Sequence, residues 1–272
     1  MAKNVIITGG LGNQMFEYAL VLALRSRGHI IRLDTSYFDF FQMHNGYELE
    51  RIFGINEALI NSQGLHLWWL RLLHKFRPNF LYKVDEQQYD ESILVSPKAY
   101  LFGYWQDELY FSNINDKVRE AFTFRGIDSR NIEISKRMQS CNSVSLHIRR
   151  GDYAAFGMTI IKEDYYENAI KYINSNVEAP SYFIFSDDME SSKEMANNLG
   201  IQYELIDFNR KEDSYKDMFL MSQCKHNIIA NSSFSWWGAW LNNNQNKIVV
   251  APNSWNKKDP LFKPQSNNWI KL

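Results

Sequence analysis

Two arginines stand side by side in His147-Ile148-Arg149-Arg150-Gly151-Asp152-Tyr153, and a guanidinium fork can bind two phosphate oxygens at once. The segment emerges from the apolar run 144–148, which reads as a buried strand. A basic pair at the carboxyl end of a strand suits a diphosphate. Side chains alternate along a strand, so His147 and Arg149 share one face and Arg150 points elsewhere. Arg149 is therefore the candidate phosphate ligand and Arg150 the structural member of the pair. Asp152, close to both, could orient them or act on a substrate hydroxyl. A surface ion-pair cluster would use the same residue types.

A second constellation is Asn231-Ser232-Ser233-Phe234-Ser235-Trp236-Trp237-Gly238. Hydroxyls and backbone N–H groups at a helix start bind anions, because the donors there lack partners. Ser235 alone could be a helix cap; three serines and an asparagine within five residues are more than a cap needs. Asp187 and Asp188 follow the apolar run 181–186 and could bind a metal, receive ribose hydroxyls or cap the next helix. No third carboxylate or histidine at matching spacing argues for a metal, so no metal site is expected. Asp217, inside Tyr215-Lys216-Asp217-Met218-Phe219, is either solvated or a buried acceptor for a ligand N–H.

The elements that must position these groups are legible. From residue 143 onward, strands expected at 144–148, 181–186, 202–206, 226–230 and 247–251 alternate with helical patterns, which implies a doubly wound parallel sheet. Right-handed crossovers place the strand-to-helix loops on one edge, so Arg149, Asp152, Asp187, Asp188 and the serine cluster converge. At the other end of the chain, a strand at 4–8 runs into Gly9-Gly10-Leu11-Gly12. Apolar residues at helical spacing follow (Met15, Phe16, Ala19, Leu20, Leu22, Ala23), then Gly28 where a helix cap belongs, then a strand at 30–34. This is the opening of a Rossmann-like layer, whose turn lies at the ligand-binding edge.

Residues 35–140 are less regular. Within them 65–76 (LHLWWLRLLHKF) forms an amphipathic helix, with Leu65, Trp68, Trp69, Leu72, Leu73 and Phe76 on one face and Arg71, His74 and Lys75 elsewhere. It packs in a core or dimer; a peripheral contact with the inner membrane face is the alternative. Residues 98–106 read as a strand with an aromatic, polar end.

The bulk numbers set the class. The chain has 272 residues, 45% hydrophobic and 22% charged, with a formal net charge of -1. This is a globular composition with no basic field to draw nucleic acid, so an anionic ligand needs a local cluster. Cys141 and Cys224 form no framework, and free thiols in a reducing compartment are expected. Without a leader-like start or a long apolar run, a cytoplasmic protein is expected.

Three segments together resemble the bacterial α-1,2-fucosyltransferases of glycosyltransferase family 11: Gly9-Gly10-Leu11-Gly12-Asn13-Gln14-Met15-Phe16, the HIRRGDY segment at 147–153, and residues 217–240 with their NSSFSWWGAW core. The resemblance implies a GT-B-like α/β fold, two facing Rossmann-like domains with a cleft between them. These would be residues 1–140 on the acceptor side and 141–272 binding the GDP-sugar. It implies inverting, metal-independent and cofactor-free transfer of fucose from GDP-β-L-fucose to the 2-hydroxyl of a terminal galactose, in O-antigen or other surface glycan synthesis. Arg149 would bind the β-phosphate, Asp217 guanine, and Ser232, Ser233 and Phe234 the phosphates and nucleoside. Gly10, Gly12, Asn13 and Gln14 would face the donor, and Asp187 is counted with the donor-binding residues.

In that reaction Arg149 and the serine-loop N–H groups would stabilise the leaving diphosphate in place of a metal. A base must take the acceptor's proton. Asp152 is the first candidate and His147 the second; related enzymes place a base further along, where this chain has Ala154-Ala155-Phe156-Gly157. The rival readings are transfer from another nucleotide-sugar and glycan binding without catalysis. A glycan hydrolase would need two carboxylates across the sugar, which the adjacent Asp187 and Asp188 do not supply.

Overall fold

The computed structural model describes residues 2–40, 45–57, 65–85, 88–149, 161–256 and 259–272, the side chains of 40 and 65–70 excepted. They fall into two compact α/β units, Met1–Arg125 and Gly126–Leu272.

The first unit runs β1 (Lys3–Ile6), α1 (Leu11–Ser26), β2 (Ile31–Asp34), α2 (Tyr37–Phe40), α3 (Leu49–Phe53), α4 (Leu65–Phe76), β3 (Tyr82–Val84), β4 (Tyr100–Phe102) and α5 (Asn115–Ala121). Its sheet is parallel, in the order β2-β1-β4-β3. Val5, Ile6, Leu33 and Leu101 are wholly buried, as are Met15, Ala19, Leu20 and Ala23 of α1. The apolar stripe of α1 thus covers the sheet, which is what fixes the helix. Gly9 between β1 and α1 has φ +71°, and a Cβ there would meet Asn13 Nδ2 at 2.7 Å. The turn requires glycine on both counts.

Two expectations for this unit change. Strand β3 carries no alternation long enough to announce itself, yet it pairs with β4 from Tyr82↔Tyr100 to Val84↔Phe102. Helix α4 spans the expected residues, but Phe76 is 72% exposed while His74 is buried. The His74 ring meets Ser36 Oγ at 3.0 Å and Tyr82 Oη at 2.9 Å, with Asp34 Oδ2 3.5 Å away. A polar pocket ready to satisfy both ring nitrogens turns the helix end toward His74.

The second unit runs α6 (Ser129–Ser140), β5 (Ser143–Ile148), α7 (Glu163–Asn176), β6 (Ser181–Ser186), α8 (Met189–Asn198), β7 (Tyr203–Leu205), α9 (Tyr215–Gln223), β8 (His226–Ile228), α10 (Ser233–Leu241), β9 (Val249–Ala251) and β10 (Ile270–Lys271). The order is β10-β9-β8-β5-β6-β7, all parallel. The expected division at 140/141 moves to 125/126 for a packing reason. Ile134 and Met138 of α6 are buried with Phe183, Phe185, Leu220 and Met221 of the second unit, so α6 covers that unit's sheet.

Strand order reverses at β5, with β6 and β7 to one side and β8, β9 and β10 to the other. Such a reversal opens a crevice at the strands' carboxyl ends, where α/β sheets bind ligands. Arg149 at the end of β5 and the loop after β8 border it. Behind it, α10 packs on α9 through Gly238, where a Cβ would lie 2.8 Å from Met221 Cβ. Trp236 and Trp237 are wholly buried beside it, and Trp236 Nε1 donates to the Pro264 carbonyl at 2.7 Å.

Candidate active site

Every residue of β5 is buried, and the register His147↔Phe185, Ile148↔Ser186 sets Arg149 beside Asp187. The two pair, Arg149 Nε to Asp187 Oδ2, at 3.1 Å and about a quarter exposed. The neighbouring carboxylate has the other job foreseen for the couple. Asp188 Oδ1 accepts from Ser191 N at 3.1 Å and caps α8.

His147 is 4% exposed, and among the described residues its Nδ1 has no hydrogen-bond partner. Burial, then the Arg149 charge, hold its pKa down to about 3 against the opposing pull of Asp187. The imidazole is neutral at pH 7. It can accept or donate a hydrogen bond, but it is a weak proton acceptor. Its ring lies 6.1 Å from the Phe234 ring, which brings the end of β5 against the first turn of α10.

At that turn Ser232, not Ser235, is the N-cap residue, with extended backbone (φ -133°, ψ 128°) and no side-chain cap bond. The Ser235 hydroxyl instead turns back on the Ser232 carbonyl at 3.3 Å. The first N–H groups of α10 have no carbonyl behind them within the helix, and the Ser232 hydroxyl does not cap them. With half-buried Ser233 and Phe234, they form a donor-rich rim suited to an anion. Asn231 has a structural task, its Nδ2 donating to the Trp255 carbonyl at 2.9 Å. The crevice edge therefore unites His147, Arg149, Asp187 and Phe234, with Ser232 and Ser233 adjoining.

Asp217 belongs to a different neighbourhood. It accepts from Asn209 Nδ2 at 2.8 Å, and Asn209 exchanges amide bonds with Asn131 at 2.9 and 3.0 Å. Burial pushes the Asp217 carboxyl up to about 8, the Asn209 bond opposing. Asp217 is half-buried, and no described contact joins it to Arg149. Asp152 and Arg150 lie outside the described residues.

In the first unit, Gly10 is the N-cap residue of α1, and Asn13 Oδ1 accepts from Gln106 Nε2 at 2.7 Å. Gln14 does not face a ligand. It is wholly buried, its Nε2 donates to the Gly9 and Gly46 carbonyls at 2.9 and 2.8 Å, and its Oε1 accepts from Glu48 N at 2.9 Å. It is a staple for the glycine turn.

Sequence reasoning missed Glu17, a wholly buried acid on the sheet side of α1. Its Oε2 accepts from Thr8 N at 2.8 Å and its Oε1 from Thr8 Oγ1 at 2.9 Å. Burial holds its carboxyl well above the usual range. The one signal was an acid embedded in the apolar stripe of α1. Trp105 was missed as well: it sits at φ +52°, its N–H held by Asp85 Oδ2 at 2.8 Å.

The pattern described as "Glycosyl transferase family 11" matches residues 2–272. An Escherichia coli protein described as "Alpha-1,2-colitosyltransferase" is 34% identical over 98% of this chain and 97% of its own. The mouse "Galactoside 2-alpha-L-fucosyltransferase Sec1" is 23% identical over 97% of this chain and 71% of its own. In three dimensions, the NodZ alpha-1,6-fucosyltransferase soaked with GDP-fucose superposes with a TM-score of 0.51 at 14% identity, covering 89% of this chain and 93% of that one. The architecture is thus GT-B-like, two parallel sheets of Rossmann-like type.

Proposed function

Since the chain belongs to glycosyl transferase family 11, we propose that it moves L-fucose from GDP-β-L-fucose to the 2-hydroxyl of a terminal galactose on a glycan. The transfer inverts the anomeric carbon and needs no metal. The second unit binds the donor and the first lies on the acceptor side. The observation that carries this reading is the meeting of Arg149, neutral His147 and the uncapped start of α10 at the strand reversal.

The fucose C1–O bond to the β-phosphate breaks and its electron pair stays on GDP, while positive charge grows on the sugar ring. Arg149 and the N–H groups at Ser233 and Phe234 neutralise the departing diphosphate, and fixed donors aimed at a growing charge are the strongest stabilisation such a site can supply. Asp187 holds the guanidinium in register. His147 offers a neutral hydrogen bond where a second cation would have to be desolvated. The acceptor oxygen bonds to C1 from the opposite face and gives up its proton. A pKa near 3 makes His147 a poor base, so Asp152 holds that role. Asp217 accepts from the guanine N–H groups.

A colitosyl donor is the second reading, favoured by the 34% identity to the colitosyltransferase. Colitose is fucose without its 3-hydroxyl, and a site built to bond that hydroxyl rejects the sugar lacking it. Mass spectrometry of products from GDP-fucose and GDP-colitose, offered with galactose-ended oligosaccharides, decides between them. No transfer from either would defeat both.

A further inference from the structure

At the amino ends of the first sheet, four chain segments are tied side by side. Lys3 N donates to the Ile30 carbonyl at 2.9 Å, Asn4 N to Ala99 at 2.8 Å and Tyr100 N to Leu81 at 3.0 Å. The ring of His29 adds a contact to the Leu94 carbonyl at 2.8 Å. These bonds align the entries to β2, β4 and β3, which together span about 14 Å at ordinary strand spacing.

Along this edge stand Ile30 at 69% exposure, Val95 at 73% and Phe80 at 76%, with Phe76 at 72% at the end of α4. Single exposed apolar residues are ordinary. Four large ones from three connections on one edge, two of them phenylalanine, mark a surface that meets something apolar.

The charges around them identify it. Arg27, Arg71 and Lys75 are exposed. Lys98 Nζ reaches the Asn79 carbonyl. Of the nearby acids, Asp90 is paired with Lys83 at 2.8 Å, while Glu91 and Asp107 share the neighbourhood of Tyr89 with Arg27. Aromatic and aliphatic tips ringed by cations match the boundary of a bilayer with anionic headgroups. Among the described residues no helix is long and apolar enough to cross a membrane, so the contact is peripheral. The glycine turn sits at the other end of the strands and stays open when the amino edge is covered.

We infer that the amino edge of the first sheet, through Ile30, Phe76, Phe80 and Val95, docks on an anionic lipid surface. The inference stands apart from the choice of donor sugar. Co-sedimentation with vesicles of phosphatidylcholine containing phosphatidylglycerol tests it, against phosphatidylcholine alone. The protein should bind the mixed vesicles, less so in high salt, and Phe76→Ser with Phe80→Ser should weaken binding at least about tenfold. Stabilisation by GDP and transfer to a soluble acceptor should be unchanged in that variant, since both positions are exposed and far along the strands from the glycine turn. The inference is overturned if the unaltered protein stays in the supernatant or the double variant binds equally well. Light scattering that showed a dimer dissociated by the same substitutions would also overturn it, assigning the edge to a second copy of the chain.

Discussion

Arg149 Nε lies 3.1 Å from Asp187 Oδ2, a pairing set by two neighbouring parallel strands and closed just beyond their carboxyl ends. A guanidinium has five donors, so a carboxylate on its Nε side aims the group without exhausting it. Arg149→Ala should lower kcat/KM by about a thousandfold or more and abolish stabilisation by GDP. Asp187→Asn should retain GDP binding and lose about tenfold in rate, since it disturbs the aim of Arg149 and leaves the guanidinium's own charge in place. Steady-state kinetics and thermal shifts check both; full activity of Arg149→Ala would remove the phosphate role.

As the proposed guanine acceptor, Asp217 should give GDP affinity a pH signature. With the carboxyl up at about 8, most molecules carry a proton there at pH 7. A guanine N–H needs the ionised form, so binding expels that proton. Affinity should rise by up to about tenfold per pH unit toward pH 8 and then level off. Isothermal titration in buffers of different ionisation enthalpy would report the released proton. Asp217→Asn should bind GDP more weakly above pH 8 and show no such rise. A flat profile in the unaltered protein would detach Asp217 from guanine.

The same two titrations shape stability. His147 has a pKa of about 3 in the fold against 6.5 unperturbed. The unfolded chain takes that proton first, so the stability present above about pH 6.5 is lost as pH falls, at up to about 1.4 kcal/mol per unit. Asp217 runs the other way. Its pKa is raised from 3.8 to about 8, so its contribution, complete below about pH 4, is lost as pH rises to about 8. Between pH 4 and 6.5 the two slopes oppose each other. Of the two, Asp217 alone acts from 6.5 to 8, in the same direction as buried Glu17, and urea melts of Asp217→Asn should be flatter there than those of the unaltered chain.

Much of this was legible because it rests on periodicity and turn chemistry. The strand at 181–186 and the helix at 65–76 fall where the sequence put them, and His147 and Arg149 both lie by Asp187, on one side of β5, as alternation requires. What escaped depends on neighbours distant in the chain. Gln14 looks like a ligand contact until Gly46 and Glu48 consume its amide. Phe76 looks like core until Ser36 and Tyr82 offer His74 a better place. Strands β3 and β10 are too short to carry a period; only pairing partners define them. The boundary between units depends on which sheet α6 covers, and no local signal in α6 says so.

Gly238 and Glu17 test the supports beneath the two turns. Gly238→Ala would set a Cβ 2.8 Å from Met221 Cβ, prying α10 from α9 at a cost of about 1–3 kcal/mol. Glu17→Ala would strand the buried Thr8 N–H and cost about 1–3 kcal/mol. Glu17→Gln keeps one acceptor and should cost less. Denaturant melts rank the three. If Glu17→Ala proved as stable as the unaltered chain, Glu17 would not be what holds the glycine turn.

Asp152 is the remaining step of the reaction. His147 is too weak a base, and Ala154-Ala155-Phe156-Gly157 supplies no carboxylate. Asp152 is the nearest acid to Arg149 in sequence, and the proposed mechanism gives it the acceptor's proton. Asp152→Asn should lower kcat by about 10²–10⁴-fold while GDP affinity stays within a few fold, since the proton is lost at the acceptor and not at the diphosphate. Slow hydrolysis of the donor by water, which is not short of proton acceptors, should fall much less than transfer. Equal loss of both would make Asp152 a positioning residue for Arg149. An unchanged transfer rate would send the search for the base to another part of the chain.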